Sequence, residues 1–505
     1  MPNNLVVVFV HGWSVTNLDT YGGLPARLSA EAKALGIDIQ LEEIYLGRYI
    51  SFHDEIRLGD ISRAFNTAIE DQLATSLSAG KRFICITHST GGPVIRDWWH
   101  NYYENLPQNG ICPMSHLIML SPANFGSALA QLGKSRLGRL KFWFGGVEPG
   151  QGVLDWLELG SPEGWQLNSA WINSDGSQIS PDGVFPFVLT GQTIDRSFYD
   201  NLNTYTGELG TDGVVRVAAA NLNSRYIKLE QEQPKADKKG VLVAGQLTAS
   251  QIKQAPNTAL RLLRGKSHSG KNKGIMGSVK ANLDDVNSRE TLDAIIACIK
   301  VQTTAQYEAL SQQFAAETAA VEAQEQIEVE TKLFIDDTYF IHDRYAMVVF
   351  RIRDDHGYPV KDFDLILTAG PNADPNHLPQ GFFADRQRNQ VSANTITFYF
   401  NYDIMKGSPA ITNAQGATIR APQDGAKMLG FKLIARPTGG FVHYLPCEIK
   451  ASQDMLEAAL APNSTTLIDI CLRRIVTKNV FRADKLTSTI NPNFKNTKAG
   501  DDIVK

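Results

Sequence analysis

At 505 residues, the chain is longer than a single hydrophobic core usually supports, so two or more domains are expected. Hydrophobic residues make up 43% and charged residues 20%, which are the proportions of a globular protein rather than a disordered one. A formal net charge of -4 gives no electrostatic basis for binding nucleic acid. The five cysteines are scattered and form no CxxC pair, which argues against a structural zinc site and a disulfide framework and is typical of a reducing compartment.

The N-terminal sequence MPNNLVVVFVHGW has no features of a targeting segment. No basic stretch precedes its apolar run and no small-residue cleavage site follows it, so a secretory signal peptide is not expected. The apolar run at 5–10 is too short to span a membrane, and no later run of about twenty apolar residues occurs. We therefore expect a chain that is soluble and cytoplasmic where it is synthesised.

The first 300 residues alternate between strand and helix patterns. Apolar, β-branched runs that end at turn residues are typical of buried parallel strands, and the amphipathic stretches between them predict helices. In chain order the pattern predicts a strand at 5–10, a helix at 21–35, a strand at 37–45, a helix at 61–77, a strand at 83–87, a helix from residue 93, strands at 116–120, 185–190 and 225–229, and a helix at 291–300. This alternation predicts an α/β fold with a mostly parallel sheet.

An insertion at 126–172 interrupts the alternation. It is long, rich in glycine and unusually aromatic, and within it the stretch GKSRLGRLKFWFGG brings four basic residues up to Phe142, Trp143 and Phe144. Long insertions above an α/β sheet are usually functional.

The composition changes after residue 302. Residues 303–331 are dominated by Ala, Glu and Gln, contain no Gly or Pro, and space their apolar residues as one face of a helix does, which predicts a connecting helix. Strand patterns separated by turn clusters then predict an all-β accessory domain at 332–482, similar to a β-sandwich, and a polar tail at 483–505. The predicted strands of this domain are 345–353, 363–368, 395–402, 428–436 and 466–477.

We expect the catalytic groups to lie in the domain at 1–302 and the accessory domain to contribute targeting, partner binding or stability. A chain ending near residue 302 is therefore expected to fold and keep its activity. Asp354, Asp355 and Asp374 lie in turns where oxygen ligands could hold calcium, but solvated turns are commonly acidic, and we expect no metal and no cofactor.

The sequence THSTGG at 87–92 follows an apolar strand and precedes a helix pattern. A serine in a strand-to-helix turn is often only a helix cap. A nucleophile elbow needs a buried strand, a strained turn, small flanking residues and a helix, and all of these surround Ser89. Thr87 departs from the usual glycine, so its branched side chain must be accommodated by a small neighbour.

The loop after the first strand and the residue after the nucleophile supply the two oxyanion-hole amides in such a fold. The backbone N–H groups of Trp13 and Thr90 are the candidates. His11, which precedes this loop, is expected to brace it through hydrogen bonds and not to act as the catalytic base.

The acid and the base of such a site follow the serine in the order acid, then histidine. Asp212 lies on a tight turn, TDGVV, just before an apolar run, whereas its rival Asp195 lies nearer the end of the strand at 185–190. We favour Asp212 and keep Asp195 as the alternative. His268 is the histidine of the α/β region that follows both, and it is the predicted base.

With these motifs assembled, the N-terminal part resembles the α/β-hydrolase lipases, especially bacterial lipases, lecithin–cholesterol acyltransferase-like enzymes and the GPI-inositol-deacylase-like group. The resemblance is carried by the sequences VVVFVHGW, ITHSTGGPVIRDWW, LSPANFGS, TDGVV and HSGKNKGIMGS. It places Ser89, Asp212 and His268 on the triad positions and Trp13 and Thr90 on the oxyanion positions. The architecture also resembles, more weakly, phospholipase effectors of bacterial type VI secretion.

The resemblance implies a serine carboxylic ester hydrolase that acts on lipids, as a phospholipase or an acylglycerol lipase. An acyltransferase with the same triad and a non-enzymatic binding protein on a hydrolase fold are the alternatives. The insertion at 126–172 would then be a lid in which Phe142, Trp143 and Phe144 meet lipid, because aromatic side chains favour the boundary between acyl chains and water. Expected partners are a lipid or membrane substrate, no nucleic acid, and a secretion-machinery or immunity protein bound through the β domain. Export by a non-classical bacterial route as a toxin effector is a further hypothesis.

Overall fold

The computed structural model describes most of the chain. The described residues are 5–11, 21–50, 54–131, 150–195, 208–238, 242–243, 245–282, 285–332 and 335–476. The predicted lid residues Phe142, Trp143 and Phe144 and the predicted oxyanion residue Trp13 lie outside these ranges.

The N-terminal part contains ten strands and nine helices within the described ranges, apart from short 3-10 and π turns. They are β1 (Leu5–His11), α1 (Leu24–Ala34), β2 (Ile39–Tyr45), α2 (Leu58–Gln72), α3 (Ala74–Ser78), β3 (Phe83–His88), α4 (Gly91–Trp99), β4 (Met114–Leu120), α5 (Gln151–Leu157), α6 (Pro162–Asn173), β5 (Phe185–Thr190), α7 (Val217–Ala220), β6 (Arg225–Gln231), β7 (Lys235–Ala236), β8 (Leu242–Val243), β9 (Leu247–Gln254), β10 (Ala259–Leu262), α8 (Val286–Ile299) and α9 (Thr304–Gln324).

The C-terminal part is almost entirely β-structure. Its elements are β11 (Ile327–Lys332), β12 (Ile335–Ile341), β13 (Tyr345–Asp354), β14 (Phe363–Ala369), β15 (Phe383–Arg388), β16 (Thr395–Asn401), α10 (Tyr402–Lys406), β17 (Ile411–Thr412), β18 (Thr418–Arg420), β19 (Met428–Ala435), β20 (Val442–His443), β21 (Cys447–Ser452), α11 (Gln453–Ala459), β22 (Ser464–Leu472) and β23 (Ile475–Val476).

A six-stranded parallel sheet forms the centre of the N-terminal part, in the order β10-β5-β4-β3-β1-β2. Its four central strands, β1, β3, β4 and β5, are buried on both faces, as their continuous apolar runs predict. The predicted α/β fold with a mostly parallel sheet is confirmed. Because all strands run the same way, the loops that follow β1, β3, β5 and β10 gather at one edge of the sheet.

Two further sheets pack face to face in the C-terminal part, one of six strands (β15-β16-β13-β22-β6-β9) and one of three (β14-β19-β21). The predicted sandwich-like architecture is therefore present. The predicted strand at 225–229 exists as β6, but it pairs with β22 and β9 and not with the parallel sheet. An alternating strand pattern does not specify its partner, which tertiary packing selects here.

The predicted helix at 303–331 ends earlier than expected. Helix α9 stops at Gln324, and the chain continues as strand β11, where Ile327 and Val329 alternate with glutamates. This period of two residues favours a strand over a helix. The helix also packs on the parallel sheet, since the Tyr307 hydroxyl accepts from the Ala259 amide and donates to the Pro186 carbonyl, at 3.0 and 2.7 Å.

Strand β13 lies between two hydrophobic cores. Val348 and Phe350 point into the sandwich core, whereas Met347 and Val349 belong to the core that continues into the α/β part. The proposed domain boundaries at 302 and 331 therefore separate segments whose apolar faces are buried against each other.

A buried ion cluster also joins the two parts. Arg216 forms a bidentate salt bridge with Glu208, in which each hydrogen bond is 2.8 Å long, and a second salt bridge with Asp385 on β15. The ring of Tyr399 covers its guanidinium at 4.1 Å. Because Arg216 is almost completely buried, its charge depends on these partners for compensation.

None of the described helices is long and apolar enough to cross a membrane. All five cysteines lie in the described ranges and are unpaired.

Contrary to the expectation from sequence, we now predict that a chain ending after residue 302 will lose the cooperative unfolding transition of the full-length protein. It would expose the apolar face covered by α9 and leave Arg216 without Asp385. Near-ultraviolet circular dichroism and a thermal melt of both chains check this. A truncated chain with a native spectrum and a sharp melt would show that the α/β part is independent.

Candidate active site

Ser89 lies at the sharp turn between β3 and α4. Its φ of 54° places a non-glycine residue in the left-handed region, which is strained and is retained mainly where surrounding structure enforces it. The Ser89 amide donates to the Leu120 carbonyl at 3.0 Å, and its carbonyl accepts from Ala123 at 3.2 Å. The geometry is that of a nucleophile elbow.

The glycines after Ser89 are needed because the helix starts so close to its surroundings. A Cβ at Gly91 would lie 3.1 Å from Cβ of Thr87, and one at Gly92 would lie 2.6 Å from Cβ of Pro122. Gly91 is thus the small neighbour that the branched side chain of Thr87 requires. The departure from the usual glycine at position 87 is accommodated without displacing the turn.

His268 lies on the loop after β10 and faces Ser89. Its Nε2 is 3.0 Å from the Ser89 hydroxyl, and its Nδ1 is 2.9 Å from Oδ2 of Asp212. The His268 amide also donates to the Asp212 carbonyl at 2.9 Å, which fixes the two loops against each other. The structure therefore brings the three predicted triad residues into one hydrogen-bonded chain, and all three are buried.

The second carboxylate oxygen of Asp212 is held by its own turn. Oδ1 accepts from the amides of Val214 and Val215, at 3.1 and 2.8 Å, so the carboxylate is oriented before it meets the imidazole. The alternative acid, Asp195, has its Oδ2 near Gly270, two residues after His268. Both ring nitrogens of His268 are engaged by Asp212 and Ser89, which favours Asp212 as the acid.

The candidate oxyanion donor Thr90 follows Ser89 as the N-cap residue of α4. The first amides of a helix have no acceptor within the helix and suit a developing negative charge. The other candidate donor, Trp13, lies outside the described residues.

The contacts of His11 within the described residues are ring contacts. The loop at 12–20 that it is expected to brace lies outside the described residues, so that role stays a prediction. Its ring stacks on Tyr45 at 4.2 Å and meets the edge of Tyr21 at 4.9 Å, while its Nε2 approaches Glu43 only to 3.8 Å. Within the described residues neither ring nitrogen has a hydrogen-bond partner. Burial lowers the pKa of His11 to about 4, so the ring is neutral near pH 7.

His88 is a site residue that the sequence analysis missed. Its Nε2 lies 3.1 Å from the His268 carbonyl, and the two rings are 4.6 Å apart. Burial, reinforced by His268, holds the pKa of His88 well below its usual value, so His88 contributes a neutral ring that can donate to this carbonyl. Its position directly before Ser89 was the available signal.

Lys266 is buried two residues before His268. Its ammonium donates to the Ser278 hydroxyl at 2.6 Å and to the Asn287 carbonyl, which ties the histidine loop to the start of α8. Burial lowers the pKa of Lys266 to about 8. In the described part of the chain, no group of three or more His, Cys, Asp or Glu side chains is arranged to hold a metal ion.

We predict that Lys266 makes stability rise with pH between about 8 and 10.5. The unfolded chain keeps this proton up to about pH 10.4, whereas the folded protein releases it near pH 8, so the unfolded state binds more protons within that window. Melting temperatures of wild type and Lys266→Met at pH 7 to 10 test this. The melting temperature of the wild type should rise relative to that of the variant as pH increases. A difference in melting temperature that stays constant with pH would contradict the prediction.

Comparison with known proteins defines the family. No family model and no curated protein matches the chain. Among solved structures, phospholipase PlaB from Legionella pneumophila is 43% identical, with 96% of this chain and 97% of that chain covered and a TM-score of 0.81. Its complex with thio-NAD is 41% identical, with 97% of both chains covered and a TM-score of 0.79. The chain therefore belongs to the family of this phospholipase, a family of serine hydrolases with the α/β-hydrolase fold.

Proposed function

We propose that the protein is a carboxylic ester hydrolase that cleaves phospholipids through an acyl-enzyme on Ser89. The observation that carries the proposal is the continuous hydrogen-bonded chain from the Ser89 hydroxyl through His268 to Asp212, mounted on a strained elbow. The relative that is 41–43% identical over nearly the whole chain is a phospholipase, which supports a phospholipid as the substrate.

In the proposed mechanism, the Ser89 oxygen attacks the ester carbonyl while its proton moves to Nε2 of His268. Asp212 holds the Nδ1 proton and stabilises the imidazolium that forms. The amides of Thr90 and Trp13 donate to the oxyanion of the tetrahedral intermediate. The imidazolium then protonates the leaving alcohol. A water molecule, deprotonated by His268, releases the fatty acid and restores Ser89.

The acyltransferase alternative uses the same acyl-enzyme with an alcohol in place of water. Product analysis with and without an added alcohol acceptor separates the two reactions. A non-enzymatic binding protein would not need the proton path from Ser89 to Asp212.

For the triad, we predict that Ser89→Ala and His268→Ala each lower kcat on a short soluble ester by roughly 10⁴-fold or more, because the three residues act as a unit. Asp212→Asn should leave a small residual activity. The matched control is Asp195→Asn, which should be mild. If Asp195→Asn is the crippling change and Asp212→Asn is mild, the acid is wrongly assigned.

The direct test of the function uses phospholipid vesicles. We expect the wild type to release fatty acid and lysophospholipid, and Ser89→Ala to release neither, with both proteins melting at the same temperature. A serine-directed fluorophosphonate should label the wild type but not the variant. Equal fatty acid release by both proteins would refute the proposal.

The insertion at 126–172 is proposed to include a lid whose Phe142, Trp143 and Phe144 meet the membrane. Aromatic side chains that are exposed in the open state would be buried at a bilayer, so membrane contact would favour opening. The nearby basic residues would add attraction to anionic head groups, at about 1 kcal/mol each.

The double substitution Phe142→Ser with Trp143→Ser is predicted to lower activity on vesicles while sparing a short soluble ester, because only the former requires contact with a bilayer. Rates on both substrates and the melting temperature are the measurements. A parallel fall of all three would place these aromatics in the protein core instead.

Export to attack another cell's membrane, with a secretion or immunity partner bound through the β domain, is also proposed. The lipid-directed site supports it, although a resident lipase is the alternative. Periplasmic expression in a test bacterium, with Ser89→Ala as the control, separates the two roles. If the wild type is toxic and Ser89→Ala is not, the effector role is supported. If neither protein is toxic, the result counts against it.

A further inference from the structure

An apolar cavity lies between the two sheets of the C-terminal sandwich, and Ser89 does not line it. The six-stranded sheet contributes residues of β6, β9, β13, β16 and β22 to the cavity wall, and the three-stranded sheet contributes residues of β14, β19 and β21. Helix α11 covers one side of the space between the sheets. The space that remains has a volume of about 270 Å³, which is close to the lower end of small-molecule pockets.

The walls of this cavity consist of hydrocarbon. Every lining residue is Ala, Gly, Val, Leu, Ile, Met or Phe, and none has a polar or charged side chain. Leu229, Phe350, Phe431, Ile449 and Leu456 illustrate how both sheets and the helix contribute. Water gains little in such a space because it finds no hydrogen-bond partners, so an apolar occupant is favoured.

The cavity opens to the surface between β9 and α11. Its lining residues Ile252 and Met455 are 65% and 57% exposed, which is unusual for large apolar side chains in a sandwich interior. A ligand that covers them would bury apolar surface on both sides of the opening. The opening therefore supplies both an entrance and a favourable contribution to binding.

A recess that is mostly apolar but carries three charged residues adjoins the opening. Ala249, Ile449 and Met455 line both the cavity and this recess, which also carries Lys432 and Lys450. Glu448 lies in the same recess, 3.7 Å from Lys450, which also donates to the Pro371 carbonyl at 3.2 Å. Lys432, Lys450 and Glu448 alternate along β19 and β21 with residues that face the core, so they project from the outer face of the three-stranded sheet, and Lys432 lies opposite Glu448. Two lysines against one glutamate give this part of the recess a net positive charge, which an acyl chain from the cavity reaches by passing the edge strand β21.

We propose that this cavity binds the hydrocarbon chain of a long-chain fatty acid, with its carboxylate in the recess near Lys432. The cavity is of a size for one chain rather than two, and the net positive charge of the adjoining recess matches a single anionic end. The choice of a fatty acid rests on the proposed function, since this is the product that ester cleavage releases. None of the residues assigned to the Ser89 site lines the cavity, so this is a second lipid site.

The test uses the full-length chain carrying Ser89→Ala and a fluorescent fatty acid, cis-parinaric acid, displaced by oleate. In this background, Ala451→Phe fills the cavity from β21, and the exposed Ser250→Phe on β9, which lines neither space, is the matched control. We expect saturable binding that weakens at least tenfold in Ala451→Phe and is unchanged in Ser250→Phe. Ala249→Phe at the exposed opening gives a second obstruction if Ala451→Phe does not fold by circular dichroism.

The recess is tested by Lys432→Gln. This change should weaken oleate several-fold while leaving displacement by oleyl alcohol unchanged, because only the carboxylate is affected. Absence of saturable binding, equal binding by the obstructed and control variants, or displacement by lysophospholipid but not by oleate would overturn the proposal. The binding assay requires no turnover. If the proposed hydrolysis is wrong, activity on vesicles will not depend on Ser89, and this result is distinct from a loss of fatty acid binding.

Discussion

The close approach of strand β3 and helix α4 at Ser89 is the constraint on which the site depends. A left-handed backbone at a residue with a side chain costs of order 1 kcal/mol or more, and the surrounding packing must hold it. Here two glycines allow the helix to start against Thr87 and Pro122, and neighbouring backbone groups fix both sides of the turn. The serine hydroxyl is thereby directed to the sheet edge where the other loops meet.

The proton path depends on loops that further hydrogen bonds hold in position. The Asp212 carboxylate is oriented by its own turn, the His268 carbonyl lies within hydrogen-bonding distance of His88, and Lys266 ties the histidine loop to α8. Such supporting contacts allow the catalytic atoms to be positioned before substrate arrives. The acid turn is also linked to the sandwich, because Arg216 follows it by four residues and pairs with Asp385.

The sandwich is consequently more than an appended module. Strand β6 belongs by sequence to the first 300 residues but completes the sheet of the second part, and β13 has both faces buried. The same sheet forms one wall of the apolar cavity, to which β6 and β13 both contribute residues. One sheet thus couples the two parts and lines the proposed second lipid site.

The sequence by itself determined the parallel sheet, the elbow at Ser89 and the choice of His268, because buried strands, small residues around a nucleophile and the order of acid and base are local or sequential properties. It left Asp212 and Asp195 as alternatives for the acid, and only the folded chain shows Asp212 against the His268 ring. It could not decide which sheet β6 joins or that the His11 ring packs against two tyrosines. It also contained no sign of the Arg216 cluster, and only the position of His88 next to Ser89 pointed to its contact with His268. These features depend on which segments, distant in sequence, pack against the same surface. Burial of apolar side chains and compensation of buried charge select those segments together, and this happens only in the folded chain.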